Sequence, residues 1–540
     1  MNSKISLLDC TLRDGAYVVD AKFGSSAIKG IVNKLQDANI DIIECGWLKN
    51  TPHEKGTTFY HVPDDFARYL KHKNPNIIYA AMIDWDRYDL DNLPACDGKT
   101  IDAIRVVFPH GKHREGVEVG RRVKEKGYKV FFQAANTLGY SNEDLIDLAE
   151  AVNEVDPISL SVVDTFGAMF NEDLERIVKV LDKHLNPEIQ MGFHSHNNQQ
   201  LSFALTMHFI ELLKKSDRAA IVDASLCGMG RGAGNATTEL VVSYMNKKCD
   251  THYDMDAIMD AIDIYMEYFK ENYEWGYSTP YFIAGLYCCH VNNIAYLLNN
   301  HRTNAKDMRN VIESLPPEDR KKYDYDLLEE KYLENCNHGL NDSETVATLA
   351  RAIAGRPVLL IAPGKSAMLE KAKINQYVEE NKPIIIGVNA ILPDYDYDYI
   401  FFANPARYEY AEKSNAERFA KCKKIILSNI KAEGEADEYV IALDSVVKRG
   451  WVHFDNGMIC ALRLMDRLGV KEVLIAGFDG FKSRYNQSYA DPFLPSLKTD
   501  TTWNDLNREI KSMFEDMKAG AQKCQKISFL TESLFDGKEE

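Results

Sequence analysis

The sequence contains no apolar run approaching the roughly 20 residues a helix needs to cross a bilayer. It contains no basic run either. Its 64 Lys and Arg are outnumbered by 81 Asp and Glu, giving a net charge of −17. A nucleic-acid backbone is therefore a poor partner for the surface as a whole. None of the 11 cysteines forms a C-x-x-C pair, which argues against zinc ribbons and thioredoxin-type redox chemistry. Cys10, Cys45 and Cys227 lie in or beside apolar runs, and Cys288 and Cys289 read as packing residues on a helix. Reduced, mostly buried thiols are expected. Met1-Asn2-Ser3-Lys4 leads into a short strand-like segment with no apolar leader core. The expectation is a soluble, cytoplasmic protein that binds neither nucleic acid nor membrane.

What is present is a long chain, 540 residues with 45% apolar content, enough for two or three domains. Residues 1–250 alternate strand-like and helical patterns. The strand-like runs are Ile5–Leu8, Ile40–Glu44, Ile77–Met82, Ile104–Phe108, Lys129–Gln133, Ile158–Val163, Ile189–Phe193 and Ala220–Ala224. Eight strands with helices between them predict an α/β fold of the (β/α)8, TIM-barrel type. No glycine-rich phosphate loop follows the first strand, so an open dinucleotide-binding sheet fits less well.

In such a barrel the chemistry sits where strands end. Here the ends carry Asp9-Cys10-Thr11-Leu12-Arg13-Asp14-Gly15, Glu44-Cys45-Gly46, Asp164-Thr165-Phe166-Gly167, His194-Ser195-His196, and a loop from Asp223 to Asn235. Any one of these reads equally as a solvated loop, and an isolated His-x-His as a cap plus an exposed ring. Five at five strand ends weigh against that. Side chains two apart on a strand face the same way, so His194 and His196 point together. With Asp14 they offer one carboxylate and two imidazoles, a set suited to an octahedral divalent ion. Mn²⁺ or Mg²⁺ is favoured over Zn²⁺ or Fe²⁺. Arg13 beside Asp14 could neutralise an oxyanion. A metal and a guanidinium facing a 2-oxo acid would stabilise charge on its carbonyl oxygen, which is enolate chemistry.

Thr11-Leu12-Arg13-Asp14-Gly15, His194-x-His196 and the loop Gly228–Asn235 resemble the metal-dependent aldolase, lyase and acyl-synthase superfamily that includes 3-hydroxy-3-methylglutaryl-CoA lyase. Val163–Met169 and Gly232–Ala236 are most similar to 4-hydroxy-2-oxovalerate aldolase. The resemblance implies that Arg13 stabilises a pyruvate-type enolate, that Asp14, His194 and His196 hold the metal with Asn235 as a further ligand, and that Glu44 and Thr165 meet substrate. It also implies a small 2-oxo acid and an aldehyde as reactants and a homodimer as the assembly. One departure is visible: the aldolase has a histidine three residues after the metal aspartate, and this chain has Tyr17. A tyrosine could replace it as acid/base if its pKa were lowered; the alternative is that it only shapes the pocket.

Residues 251–354 read as a helical extension. Ile283–Tyr287 resembles the helical domain of the same aldolase, in which a tyrosine at the position of Tyr287 reaches back to the active site; an aromatic in a helix–helix core is the alternative. His290 lies one turn on and could share its face.

Residues 355–540 bring strands back at Val358–Ile361, Ile384–Val388, Tyr399–Ala403, Lys424–Ser428, Tyr439–Leu443 and Glu472–Ala476, a separate Rossmann-like domain with an open parallel sheet. Gly364-Lys365-Ser366, Asn389, Asn404-Pro405 and Gly477-Phe478-Asp479 stand at strand ends, as anion-binding loops or as simple caps. They resemble the CMP site of bacterial sialyltransferases, which implies a nucleotide or CMP-sugar ligand at Gly364, Ser366, Asn389, Asn404 and Asp479, with Tyr485 and Tyr489 as neighbours. The general-base histidine of those enzymes is missing, since no histidine follows His453.

The leading reading is a divalent-metal-dependent aldolase or lyase, a carbon–carbon lyase, in a carbohydrate or surface-polysaccharide setting suggested by its second domain. The alternatives are an acyl-CoA-dependent Claisen synthase, which would release a thiol, and a glycosyltransferase-like or nucleotide-sugar-binding protein whose barrel is not catalytic.

Overall fold

The computed structural model describes residues 5–216, 218–301, 305–336, 339–431, 438–448, 450–451, 456–482, 488–495 and 502–537. Met1–Lys4, His453 and Tyr485 lie outside them. The chain forms two compact units: residues 1–294 with 316–323, and residues 295–315 with 324–540. The helical segment 251–354 is thus shared between them.

In the first unit the strands are β1 (Ile5–Asp9), β2 (Ile42–Leu48), β3 (Phe59–Tyr60), β4 (Ile78–Asp84), β5 (Ala103–Phe108), β6 (Lys129–Ala134), β7 (Ser159–Asp164), β8 (Gln190–Ser195) and β9 (Ala220–Ala224). All pair in parallel, in the order β1-β9-β8-β7-β6-β5-β4-β2, and β2 pairs back onto β1 to close the barrel. The two-residue β3 hangs on the rim of β2. The expected TIM barrel is therefore formed, each of its eight strands within four residues of the expected bounds.

The helices between strands form because their apolar residues recur at helical spacing and their starts are capped. Ser141 accepts from the amide of Asp144, and the Asp144 carboxylate accepts from the amide of Ser141, a capping box that opens helix Asn142–Val155. Its buried face carries Leu145, Leu148, Ala149, Val152 and Val155. Inside the barrel, Leu8, Ile42, Ala80, Ala103, Phe131 and Ile221 form an apolar plug. Cys288 and Cys289 correct the sequence expectation: they fall in the turn after helix Thr279–Leu286, Cys288 has φ of +48°, and only Cys289 is buried.

The second unit is built on β10 (Val358–Ile361), β11 (Ile384–Val388), β12 (Tyr399–Phe402), β13 (Lys423–Leu427), β14 (Glu438–Ile441), β15 (Glu472–Ala476) and β16 (Lys526–Phe529). They form one open parallel sheet in the order β14-β13-β12-β11-β10-β15-β16. Among the described residues no helix is long and apolar enough to cross a membrane.

Candidate active site

The site begins where β1 turns into the single helical turn Thr11–Asp14. Asp9 fixes that turn: it accepts from the Thr11 amide at 2.9 Å and the Thr238 hydroxyl at 2.7 Å. The Thr11 hydroxyl in turn accepts from the amide of Leu226, beyond β9. Leu12 is buried in the core, so Arg13 and Asp14 are left to face the barrel mouth.

The ligating atoms of Asp14, His194 and His196 lie within 4.8 Å of one another. Each imidazole is oriented from behind. His196 Nδ1 meets the Asp164 carbonyl oxygen at 3.2 Å, and its Nε2 faces Asp14 Oδ2 at 3.6 Å. His194 Nδ1 lies 3.0 Å from Asp223 Oδ2, which leaves Nε2 as its remaining donor. Outer contacts of this kind set the tautomer that a metal needs. Asn235 Nδ2 sits 2.6 Å from Asp14 Oδ2, while Asn235 Oδ1 is buried without a partner. The amide turned over would present that orphaned oxygen to a cation beside Asp14. Gly230 keeps the space open, because a Cβ there would stand 2.4 Å from Asn235 Nδ2 and 2.7 Å from Asp14 Oδ2. The donor set and the space both fit a divalent metal.

Behind this cluster a chain of buried charges crosses the barrel above the plug. Arg13 binds Asp14 through Nη1 at 2.6 Å and Glu44 through Nε at 2.8 Å. Arg105 binds Glu44 at 2.7 Å and, through its other terminal nitrogen, Asp223. Asp223 reaches His194. Three carboxylates and two guanidiniums alternate, all at most 5% exposed. Burial alone would raise the Asp14 carboxyl; Arg13 and the two histidines together outweigh it and hold Asp14 well below the usual range. Arg105 and His194 together do the same for Asp223, which is lowered despite its burial. Burial lowers His194, so the ring is held neutral, as a metal ligand must be.

The loops are tied together by Asn198, whose amide donates to the Phe166 carbonyl and whose oxygen accepts from the Ala233 amide. A cavity of about 190 Å³ opens beside the cluster. Of the residues named from sequence, Arg13, Asp14, Tyr17, Thr165, His194 and His196 line it. Glu44 sits behind Arg13, and Thr165 accepts from the Asn136 amide. Tyr287 is not among the lining residues and carries the Arg320 guanidinium on its ring; the lining takes His290 from that segment instead. Tyr17 is 48% exposed, lies edge-on to Trp47, and carries Arg231 on its face at 4.8 Å. Desolvation at the packed mouth pushes its hydroxyl up to about 12, opposite to the lowering an acid/base role would need. Sequence reasoning passed over Arg105 and named Asp223 only as the start of a strand-end loop. The signal was there: charges inside Ala103–Phe108 and Ala220–Ala224, where an arginine or aspartate is buried only when paired.

In the second unit, Gly364, Asn389, Asn404, Asp479 and Tyr489 line one cavity, but several are engaged. Asn389 Oδ1 accepts from the Ala403 amide, and Asn404 caps helix Pro405–Ser414. Ser366 does not line the cavity: its amide and hydroxyl both bind Asp479, and its hydroxyl also meets Thr531. Gly364 allows two strand-end loops to cross, since a Cβ would stand 2.3 Å from the Gly477 carbonyl.

Residues 112–264 match the HMGL-like family model. An oxaloacetate decarboxylase from Mycobacterium tuberculosis is 26% identical over 258 residues, 47% of this chain and 74% of that protein. A 4-hydroxy-2-oxovalerate aldolase from Thermomicrobium roseum is 28% identical over 264 residues, 47% of this chain and 70% of that protein. The crystal structure of HMG-CoA lyase from Bacillus subtilis aligns with 50% of this chain and 94% of its own, at 18% identity and a TM-score of 0.38. The HMGL-like match thus falls on the second half of the barrel, from β6 to β9, and the segment that follows it.

Proposed function

We propose that the barrel is a divalent-metal-dependent carbon–carbon lyase that makes or breaks the bond beside the carbonyl of a small 2-oxo acid, with an aldehyde as the other reactant. The observation that carries this reading is the Asp14–His194–His196 cluster, with both rings oriented from behind and Arg13 at its side. Asp14, His194, His196 and Asn235 would hold the metal, Mn²⁺ or Mg²⁺ by the hardness of the oxygen donors. Such an ion supplies Lewis acidity toward a carbonyl oxygen.

The residues themselves do the rest. Arg13 has spent Nε on Glu44 and Nη1 on Asp14; Nη2 has no hydrogen-bond partner among the described residues, and Arg13 lines the cavity. It can bind the carboxylate or the developing oxyanion of the substrate. Glu44 fixes the guanidinium plane, so the donor is aimed before substrate arrives. Trp47 and Phe166 line the cavity and limit water. Tyr17 keeps its proton at neutral pH and serves only as a donor.

The second unit is a ligand-binding domain for a nucleotide or CMP-sugar, and the assembly is a homodimer, which sedimentation equilibrium would test. The test of the barrel is exchange of the pyruvate methyl protons in D₂O, followed by NMR with Mn²⁺ and with chelator. Metal-dependent exchange lost in His194→Ala and Arg13→Gln is expected. No exchange in a metal-loaded wild type would remove the pyruvate-type reading. Thiol release from acetyl-CoA in the presence of a 2-oxo acid would favour the Claisen alternative.

A further inference from the structure

The cavity of the second unit measures about 450 Å³, within the range of small-molecule sites. It lies beyond the C-terminal ends of the strands, lined by Gly364 after β10, Asn389 after β11, Asn404 after β12, Asn429 after β13 and Asp479 after β15. β10 is followed in sequence by β11 on one side and bordered by β15 on the other, so the chain order reverses there. That is the crevice at which open α/β sheets take ligands.

Arg407 lines this cavity and is only 7% exposed. Its Nε donates to the Pro495 carbonyl at 2.7 Å, and its guanidinium lies over Tyr489, 4.7 Å from the ring centroid. Its two terminal nitrogens meet no carboxylate and no other acceptor among the described residues. The carboxylates of the lining are placed elsewhere: Asp479 binds Ser366, Glu329 binds His301 and Tyr296, and neither Asp307 nor Asp444 forms an ion pair with Arg407. A permanently charged group buried without a counter-charge is costly. It also stands in the first turn of helix Pro405–Ser414, the end at which the helix dipole disfavours a cation. Two unfavourable terms meet at one point, and a single anion would relieve both, with helix amides adding donors.

We propose that Arg407 is the anchor for the phosphate of a phosphorylated ligand, a nucleoside monophosphate or its sugar ester, in this cavity. This rests on the reading of the second unit as a nucleotide-binding domain. The arginine supplies two donors in one plane, the geometry that phosphate oxygens match, and Tyr489 holds that plane in place.

The test is isothermal titration of the full chain with CMP, UMP, AMP and GMP and with the parent nucleosides. A monophosphate is expected to bind wild type at least about 10-fold more tightly than its nucleoside. Arg407→Gln should erase that ratio, and Arg407→Lys should keep part of it. Circular dichroism melting and pyruvate exchange at the barrel report that both variants are folded. A monophosphate that binds Arg407→Gln as it binds wild type would overturn the anchor while leaving the nucleotide reading intact. Failure of all four monophosphates to bind wild type would overturn both.

Discussion

The two units place polar residues at the same kind of position, the C-terminal ends of parallel strands, and use them in opposite ways. In the barrel six groups around the candidate metal site are committed to one another: Asp14, Arg13, Glu44, Arg105, Asp223 and His194 form one continuous chain. In the second unit the strand-end groups serve the backbone as caps and clasps, and the buried cation Arg407 has no counter-charge. A cross-linked site is rigid before substrate arrives and fragile to truncation. A site with an open charge is tolerant of truncation and waits for its ligand. The contrast follows from cost, because breaking a buried pair strands its partner.

The largest effect should therefore fall on Arg105. Arg105→Met strands Glu44 and Asp223 inside the barrel and should cost about 3–5 kcal/mol, read as a shift in the denaturation midpoint. Arg407→Gln should cost less than about 1 kcal/mol, because it strands no charge and leaves only the Pro495 carbonyl without its donor. Equal losses in the two variants would erase the distinction between the units.

Next come the residues that orient the histidines. Asp223→Asn keeps the shape but withdraws the charge behind His194 and should weaken Mn²⁺ binding about 10–100-fold. His194→Ala, which removes a ligand, should weaken it further. Equilibrium dialysis against Mn²⁺ decides the order; an Asp223→Asn variant with wild-type affinity would detach the charge chain from the metal cluster.

How much of this was legible beforehand depended on whether a residue acts through its neighbours in sequence or across the fold. All eight barrel strands and six of the seven in the second sheet could be read, since buried parallel strands are continuous apolar runs. β3 has two residues and β16 is a four-residue edge strand with no fully buried residue, too short and too mixed to stand out. Asp14, His194 and His196 were legible because the strand period fixes the direction of His194 and His196 together. Arg105 was not, because its partners lie 61 and 118 residues away. Tyr287 and Ser366 were legible as residue types only. Whether a tyrosine faces a cavity or an arginine, or a serine a ligand or an aspartate, is decided by packing that no local pattern records.

A pH-dependent effect tests the barrel's own strand ends. Asp164, whose carbonyl holds His196, is fully buried, and desolvation raises its carboxyl from 3.8 to about 6 against two backbone amides that lower it. A raised folded pKa means stability that is full below pH 4 and lost as pH climbs through about 6. Between pH 5 and 8 the loss from this group is about 1.4 kcal/mol. Asp164→Asn should remove that slope, so its stability relative to wild type should improve by about this amount between pH 5 and pH 8. Denaturant unfolding of metal-free protein at both values reads it. A relative stability that does not change with pH would mean that the carboxyl stays ionised throughout, and that the two amides outweigh burial.

The smallest effect on metal affinity and on exchange is expected at Tyr17, and it sharpens the account of the mouth. Tyr17→Phe keeps the edge contact with Trp47 and the ring beneath Arg231, and loses only a hydroxyl. That hydroxyl holds its proton at neutral pH, so it cannot take one from the methyl group of a 2-oxo acid. Metal affinity should be unchanged, and the pyruvate exchange rate should stay within about 3-fold of wild type. Turnover with an aldehyde partner, where a proton must reach the new alkoxide oxygen, should fall by about 10²-fold or more if the hydroxyl is the donor. A loss confined to the aldehyde step makes Tyr17 the proton donor to that partner. A loss of exchange itself would mean that Tyr17 acts on the enolate, and its pKa in the loaded enzyme would then have to lie far below 12.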